Sequence, residues 1–82
     1  MNQIKLLFFA TLRDRAGTRS LDLEIPEDLT IRGLKDKLAQ DYPNLAQSMS
    51  SVLVSINREY AFDEAVVPQN AEIALFPPVS GG

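Results

Sequence analysis

Two segments near the ends of the sequence restrict the fold more than anything between them. Residues 4–10 (Ile, Lys, Leu, Leu, Phe, Phe, Ala) and residues 71–76 (Ala, Glu, Ile, Ala, Leu, Phe) are apolar at almost every position. An alternating strand buries one face, whereas strands of this kind bury two and belong at the centre of a sheet. A chain of 82 residues has room for one core and buries only about 60–65% of its unfolded surface. The two segments are therefore expected to be neighbours in a single sheet.

The residues between them supply the rest of the layer pattern. A turn-like region ends at Gly17, and Ser20–Ile25 then alternates, placing Leu21, Leu23 and Ile25 on one face and Asp22 and Glu24 on the other. Pro26 closes that strand. Thr30 stands at an N-cap position, and Ile31, Leu34, Leu38 and Tyr42 recur at spacings of three and four, which predicts a helix ending before Pro43. Gly33 in its first turn costs roughly 1 kcal/mol against Ala, so periodicity and capping carry that helix rather than propensity. Residues 52–56 alternate again, with Val52, Val54 and Ile56 to one side; Asn57, Arg58 and Glu59 form a polar turn into a short strand at Tyr60 and Ala61. The order is strand, strand, helix, strand, short strand, strand. It predicts an α+β fold of the β-grasp, ubiquitin-like kind, with a helix across one face of a mixed sheet. Residues 1–76 are read as this domain and residues 77–82 as an extended tail.

Composition removes most self-contained chemistries. The sequence contains no Cys and no His, which excludes disulfides, thiolate chemistry and the commonest zinc ligands and proton shuttles. Formal net charge is −3, and Arg13, Arg15 and Arg19 fall in one loop without a long basic block, so no nucleic-acid partner is expected. No apolar run approaches the roughly 18–20 residues of a membrane span. The stretch from Leu6 to Ala10 is too short for a secretory signal, and a cytoplasmic protein bound to no membrane is expected.

After Phe76 the sequence reads Pro77, Pro78, Val79, Ser80, Gly81, Gly82. The prolines fix their φ angles and the glycines lack Cβ atoms, so this tail is stiff at its root and thin at its tip. Six extended residues reach roughly 20 Å, enough to carry a terminal carboxylate into another protein's site. An ionised α-carboxylate can attack the α-phosphate of ATP without a base on its own chain. The acyl-adenylate so formed is open to a sulfur nucleophile, which leaves a thiocarboxylate on Gly82. A frayed terminus is the plain alternative; two closing glycines arise by chance in roughly one chain in two hundred.

The opening Leu7-Phe8-Phe9-Ala10, with Leu12-Arg13 and Gly17 after it, and the ending Phe76-Pro77-Pro78-Val79-Ser80-Gly81-Gly82 carry a resemblance that spans essentially the whole chain. The sequence resembles the small subunits of molybdopterin synthase, ubiquitin-like sulfur carriers of molybdenum-cofactor biosynthesis. The resemblance implies a non-catalytic carrier within a heterotetramer, adenylated at Gly82 by a ubiquitin-activating-like adenylyltransferase that uses ATP. A sulfur donor protein then supplies the thiocarboxylate sulfur. The large subunit of the synthase provides the catalytic side chains and passes sulfur to cyclic pyranopterin monophosphate, forming the molybdopterin dithiolene. No cofactor or metal is expected on this chain. Thiamine-type carriers share the fold and Gly-Gly but tend to be shorter and lack the Phe-Pro-Pro approach; a protein modifier conjugated through Gly82 is the other alternative.

One docking surface follows from strand alternation. With Leu6 and Phe8 turned toward the helix, Leu7 and Phe9 face the other way, and Phe76 opposes Leu75. No second helix is evident to cover that face. Phe9, Tyr60 and Phe76 are accordingly the candidate partner-binding residues, beside a tail of Pro77, Pro78, Val79, Ser80 and Gly81 leading to Gly82.

Overall fold

The computed structural model describes residues 1–78. Five strands, β1 (Asn2–Phe8), β2 (Ser20–Ile25), β3 (Leu53–Ile56), β4 (Glu59–Ala61) and β5 (Glu72–Phe76), form one mixed sheet in the order β2-β1-β5-β3-β4. β1 and β5 pair in parallel, Leu6 beside Ile73 and Phe8 beside Leu75, while β2 and β3 flank them antiparallel. The two doubly apolar segments are thus neighbours, and β5 is the middle strand. With α2 (Ile31–Asp41) contributing to the core, this is the β-grasp, or ubiquitin-like, architecture of the α+β class.

Alternation assigns the faces. Ile4, Leu6 and Phe8 of β1, Ile25 of β2, Val54 of β3, and Ile73 and Leu75 of β5 are buried against Ile31, Leu34 and Leu38 of α2. Thr30 caps α2 as expected, its Oγ1 accepting from the Gly33 amide at 3.2 Å. Gly33 leaves room for Leu29: a Cβ there would stand 2.5 Å from Leu29 Cδ1, so a larger residue would make the Leu29 side chain shift. The first two amides of α2 donate to Ala65 and Asp63 carbonyls, so the segment after β4 completes the cap.

Three features depart from the sequence reading. The first strand begins at Asn2 and ends at Phe8, because Ala10 turns the backbone to φ 53 and breaks the extension. The region before Gly17 is a helix, α1 (Thr11–Ala16), closed by Gly17 at φ 76, whose amide donates to the Arg13 carbonyl. It packs against the short helical turn Pro43–Leu45, with Leu12 and Leu45 both in the core. Asn2 is a buried polar residue: its Nδ2 donates to the Pro68 carbonyl at 2.8 Å and its Oδ1 accepts from the Asn70 amide at 2.9 Å. Among the described residues no helix is long and apolar enough to cross a membrane.

Candidate docking face and tail exit

The same alternation that fills the core turns a second set of side chains to the opposite side of the sheet. Leu7 lies between Ser20 and Ala74, and Ser55 lies between Ala74 and Tyr60, making one row from edge to edge. A second row pairs Phe76 with Leu53, and Phe9 continues the parallel ladder by donating its amide to the Leu75 carbonyl at 3.2 Å. The rings of Phe9 and Phe76 stack with centroids 4.7 Å apart and planes 13° from parallel. Such pairs contribute about 0.5–1.5 kcal/mol beyond the area they bury. α1 packs on the core side and leaves Phe9 41% exposed.

Tyr60, on the edge strand β4, is 78% exposed. It closes one side of a groove of about 310 Å³ whose floor is Ala74 and Ser55 and whose other wall is the Phe9–Phe76 stack. The three aromatic residues named from the sequence therefore line one concavity. Leu53 and Phe62 extend the exposed apolar surface around the β4 edge; Leu53 is 39% and Phe62 84% exposed. Leu53 was within reach of sequence reasoning, because a strand that turns Val52, Val54 and Ile56 inward must turn Leu53 outward. Phe62 follows the strand's end, where period-two reasoning has no purchase.

A larger hollow of about 580 Å³ lies on the other side of Tyr60, between Phe62 and Lys35 of α2. Asp63 joins the two elements, with Lys35 Nζ 2.6 Å from its Oδ1 and an Arg32 guanidinium nitrogen 3.8 Å from its Oδ2. The hydrogen bond from Lys35 chiefly, with the charges of Lys35 and Arg32, holds the Asp63 carboxyl below its ordinary value of 3.8, against a smaller opposing effect of burial. A depressed carboxyl pKa contributes stability that is present above the unfolded value and is lost as pH falls through the folded one. Thermal unfolding of the protein and of Asp63→Asn, followed from neutral pH into acid, should show the wild-type advantage at neutral pH shrinking below about pH 4. A constant difference across that range would contradict the ion pair.

β5 ends at Phe76, directly before Pro77 and Pro78, which have no amide to extend the ladder. Pro77 is half-buried and Pro78 exposed. The tail thus departs from the edge of the aromatic stack. Val79, Ser80, Gly81 and Gly82 lie outside the described residues. Among the described residues no cluster of three or more acidic side chains is arranged to hold a metal ion.

Comparison with known proteins places these features in context. The model of the ThiS family matches residues 6–82. The molybdopterin synthase sulfur carrier subunit of Arabidopsis thaliana is 38% identical over 80 residues, covering 98% of this chain and 83% of the relative. That of Dictyostelium discoideum is 36% identical over 84 residues, covering 99% and 98%. Among solved structures, SAMP1 from Haloferax volcanii superposes with a TM-score of 0.84 at 29% identity, over 99% of this chain and all of that one.

Proposed function

The chain belongs to the ThiS family, and from that premise we propose that it is the sulfur carrier subunit of a molybdopterin synthase, with the carboxylate of Gly82 as its cargo site. The observation that carries this reading is identity of 36–38% across 98–99% of the chain with relatives that bear that name. The Phe-Pro-Pro approach to Gly-Gly supports it, as does the exposed aromatic stack at the root of the tail.

The chemistry asks little of the carrier. A carboxylate oxygen of Gly82 attacks the α-phosphorus of ATP in an adenylating enzyme, and pyrophosphate leaves. The terminal sulfur of a donor protein's persulfide displaces AMP from the carbonyl carbon to form an acyl disulfide. A thiol then cleaves the S–S bond, forming a disulfide with the donor and releasing the thiocarboxylate on Gly82. The tail then enters the large subunit, where the thiocarboxylate sulfur attacks an electrophilic carbon of cyclic pyranopterin monophosphate and displaces an oxygen substituent. Water hydrolyses the resulting thioester, which leaves the sulfur on the pterin and returns the Gly82 carboxylate. Every acid and base in this cycle resides on partners, consistent with a sequence lacking His and Cys. On this chain, Pro77 and Pro78 aim the tail, Val79, Ser80 and Gly81 give it reach and slimness, and Phe9, Tyr60 and Phe76 seat the partner.

Deletion of the chain from its host should abolish molybdoenzyme activity, with restoration by the wild-type sequence. Normal molybdoenzymes accompanied by a thiamine requirement would overturn the assignment and redirect the sulfur. A second reading, a protein modifier joined through Gly82 to lysines, is favoured by the likeness to a small archaeal modifier protein at 26% identity. It requires a ladder of conjugates in cell extracts that vanishes when Gly82 is removed, and the carrier reading alone requires none.

A further inference from the structure

Six of the eight Lys and Arg residues divide by face. On the helix side Lys35 and Arg32 are paired with Asp63, and Lys37 with Asp41 at 3.2 Å. Around the aromatic stack the pattern is the reverse. Arg13 and Arg19 line a groove of about 300 Å³ with Leu7, Phe8 and Phe9, and Arg58 lines the neighbouring groove with Phe9, Tyr60 and Phe76. Among the described residues none of these three arginines has a carboxylate within ion-pair distance; Glu72 shares the groove of Arg58 without reaching it.

Arg58 also occupies a conformation that disfavours it. Asn57 and Arg58 form the two-residue turn between β3 and β4, with φ 50 and φ 74. Turns of this type favour Gly at the second position, and a side chain there is strained. Arg58 thus places a guanidinium on the rim of an aromatic groove at a cost in backbone strain.

We propose that Arg13, Arg19 and Arg58 form a cationic rim that pairs with carboxylates on the large synthase subunit as it docks against the Phe9–Phe76 face. The proposal rests on the carrier reading for the identity of that protein. Arginine and aromatic side chains together form the strongest anchors of protein interfaces, and guanidinium groups pair with carboxylates in a forked geometry. A formal net charge of −3 disfavours a nucleic-acid polyanion as the occupant. A phosphate on the small-molecule substrate is disfavoured by distance, because six residues separate Phe76 from the working end and can span roughly 20 Å. The rim therefore faces partner protein, and sets the register in which the tail enters it.

The test uses the full chain and the purified large synthase subunit of the same cells, with association rates measured between about 50 and 200 mM salt. Reversing all three charges (R13E, R19E, R58E) should slow association by roughly 10- to 100-fold and flatten its salt dependence. Single Gln substitutions should each slow it about two- to fivefold, while Lys substitutions keep most of the rate. Arg58→Gly should melt at a higher temperature yet associate more slowly, a combination that a purely structural role would not produce. Wild-type rate and salt slope in the charge-reversed protein would overturn the rim while leaving the carrier reading intact. Absence of any association by the wild-type chain would remove that reading and the rim with it.

Discussion

Removal of Gly82 alone should leave a folded protein that transfers no sulfur. Among the described residues the core runs no further along the chain than Leu75, and β5 ends at Phe76, so the deletion should change unfolding free energy by less than about 0.5 kcal/mol. The shortened chain still closes on a glycine carboxylate, so the reacting group is chemically unchanged. Its position is not, because the end falls short by about 3.3–3.6 Å. A misplacement of about 1 Å in an active site costs on the order of a hundredfold, and a shift three times larger should put the reaction below detection. Sulfur transfer can be followed with the activating enzyme, ATP and sulfide. A truncated protein working at more than about one hundredth of the normal rate would contradict a reach set by the last residue.

The second large effect falls on folding. Leu38, fully buried on α2, touches the core that the sheet closes over, and Leu38→Ala should destabilise the protein by about 2–5 kcal/mol. A domain of 82 residues has roughly 4–12 kcal/mol to lose. The melting temperature should therefore fall by on the order of 15 °C. Tyr60→Ala, on the open face, should stay within about 0.5 kcal/mol of wild type despite removing a larger side chain. Urea unfolding of the two variants separates core from docking surface. Equal losses would mean that Tyr60 is part of the packed core.

How far this was legible follows from what each signal depends on. Periodicity located α2 and β2, because each has one apolar face more buried than the other, and the doubly apolar ends located the parallel pair at the sheet's centre. The same rule found the Phe9–Phe76 stack, since alternation fixes which side of a sheet a residue occupies. α1 escaped because six residues with one fully buried side chain, Leu12, make no stripe, and Ala10 provides no side-chain cap. Gly17 is its one local marker, and a glycine there fits a turn as well as a helix C-cap. The buried role of Asn2 depends on the carbonyl of Pro68 and the amide of Asn70, more than sixty residues away, and no local pattern carries such a contact. For the tail the position is reversed: its reading rests on residue types, the prolines for stiffness and the glycines for thinness, and Val79 to Gly82 lie outside the described residues.

The carrier account makes its sharpest claim about the mass of one chain. Protein incubated with the activating enzyme, ATP and a sulfur source, then measured intact, should gain a species heavier by the exchange of one oxygen for one sulfur. Fragmentation should place that change on Gly82. A single unmodified mass under conditions in which ATP is consumed, or the sulfur found on any other residue, would contradict the account.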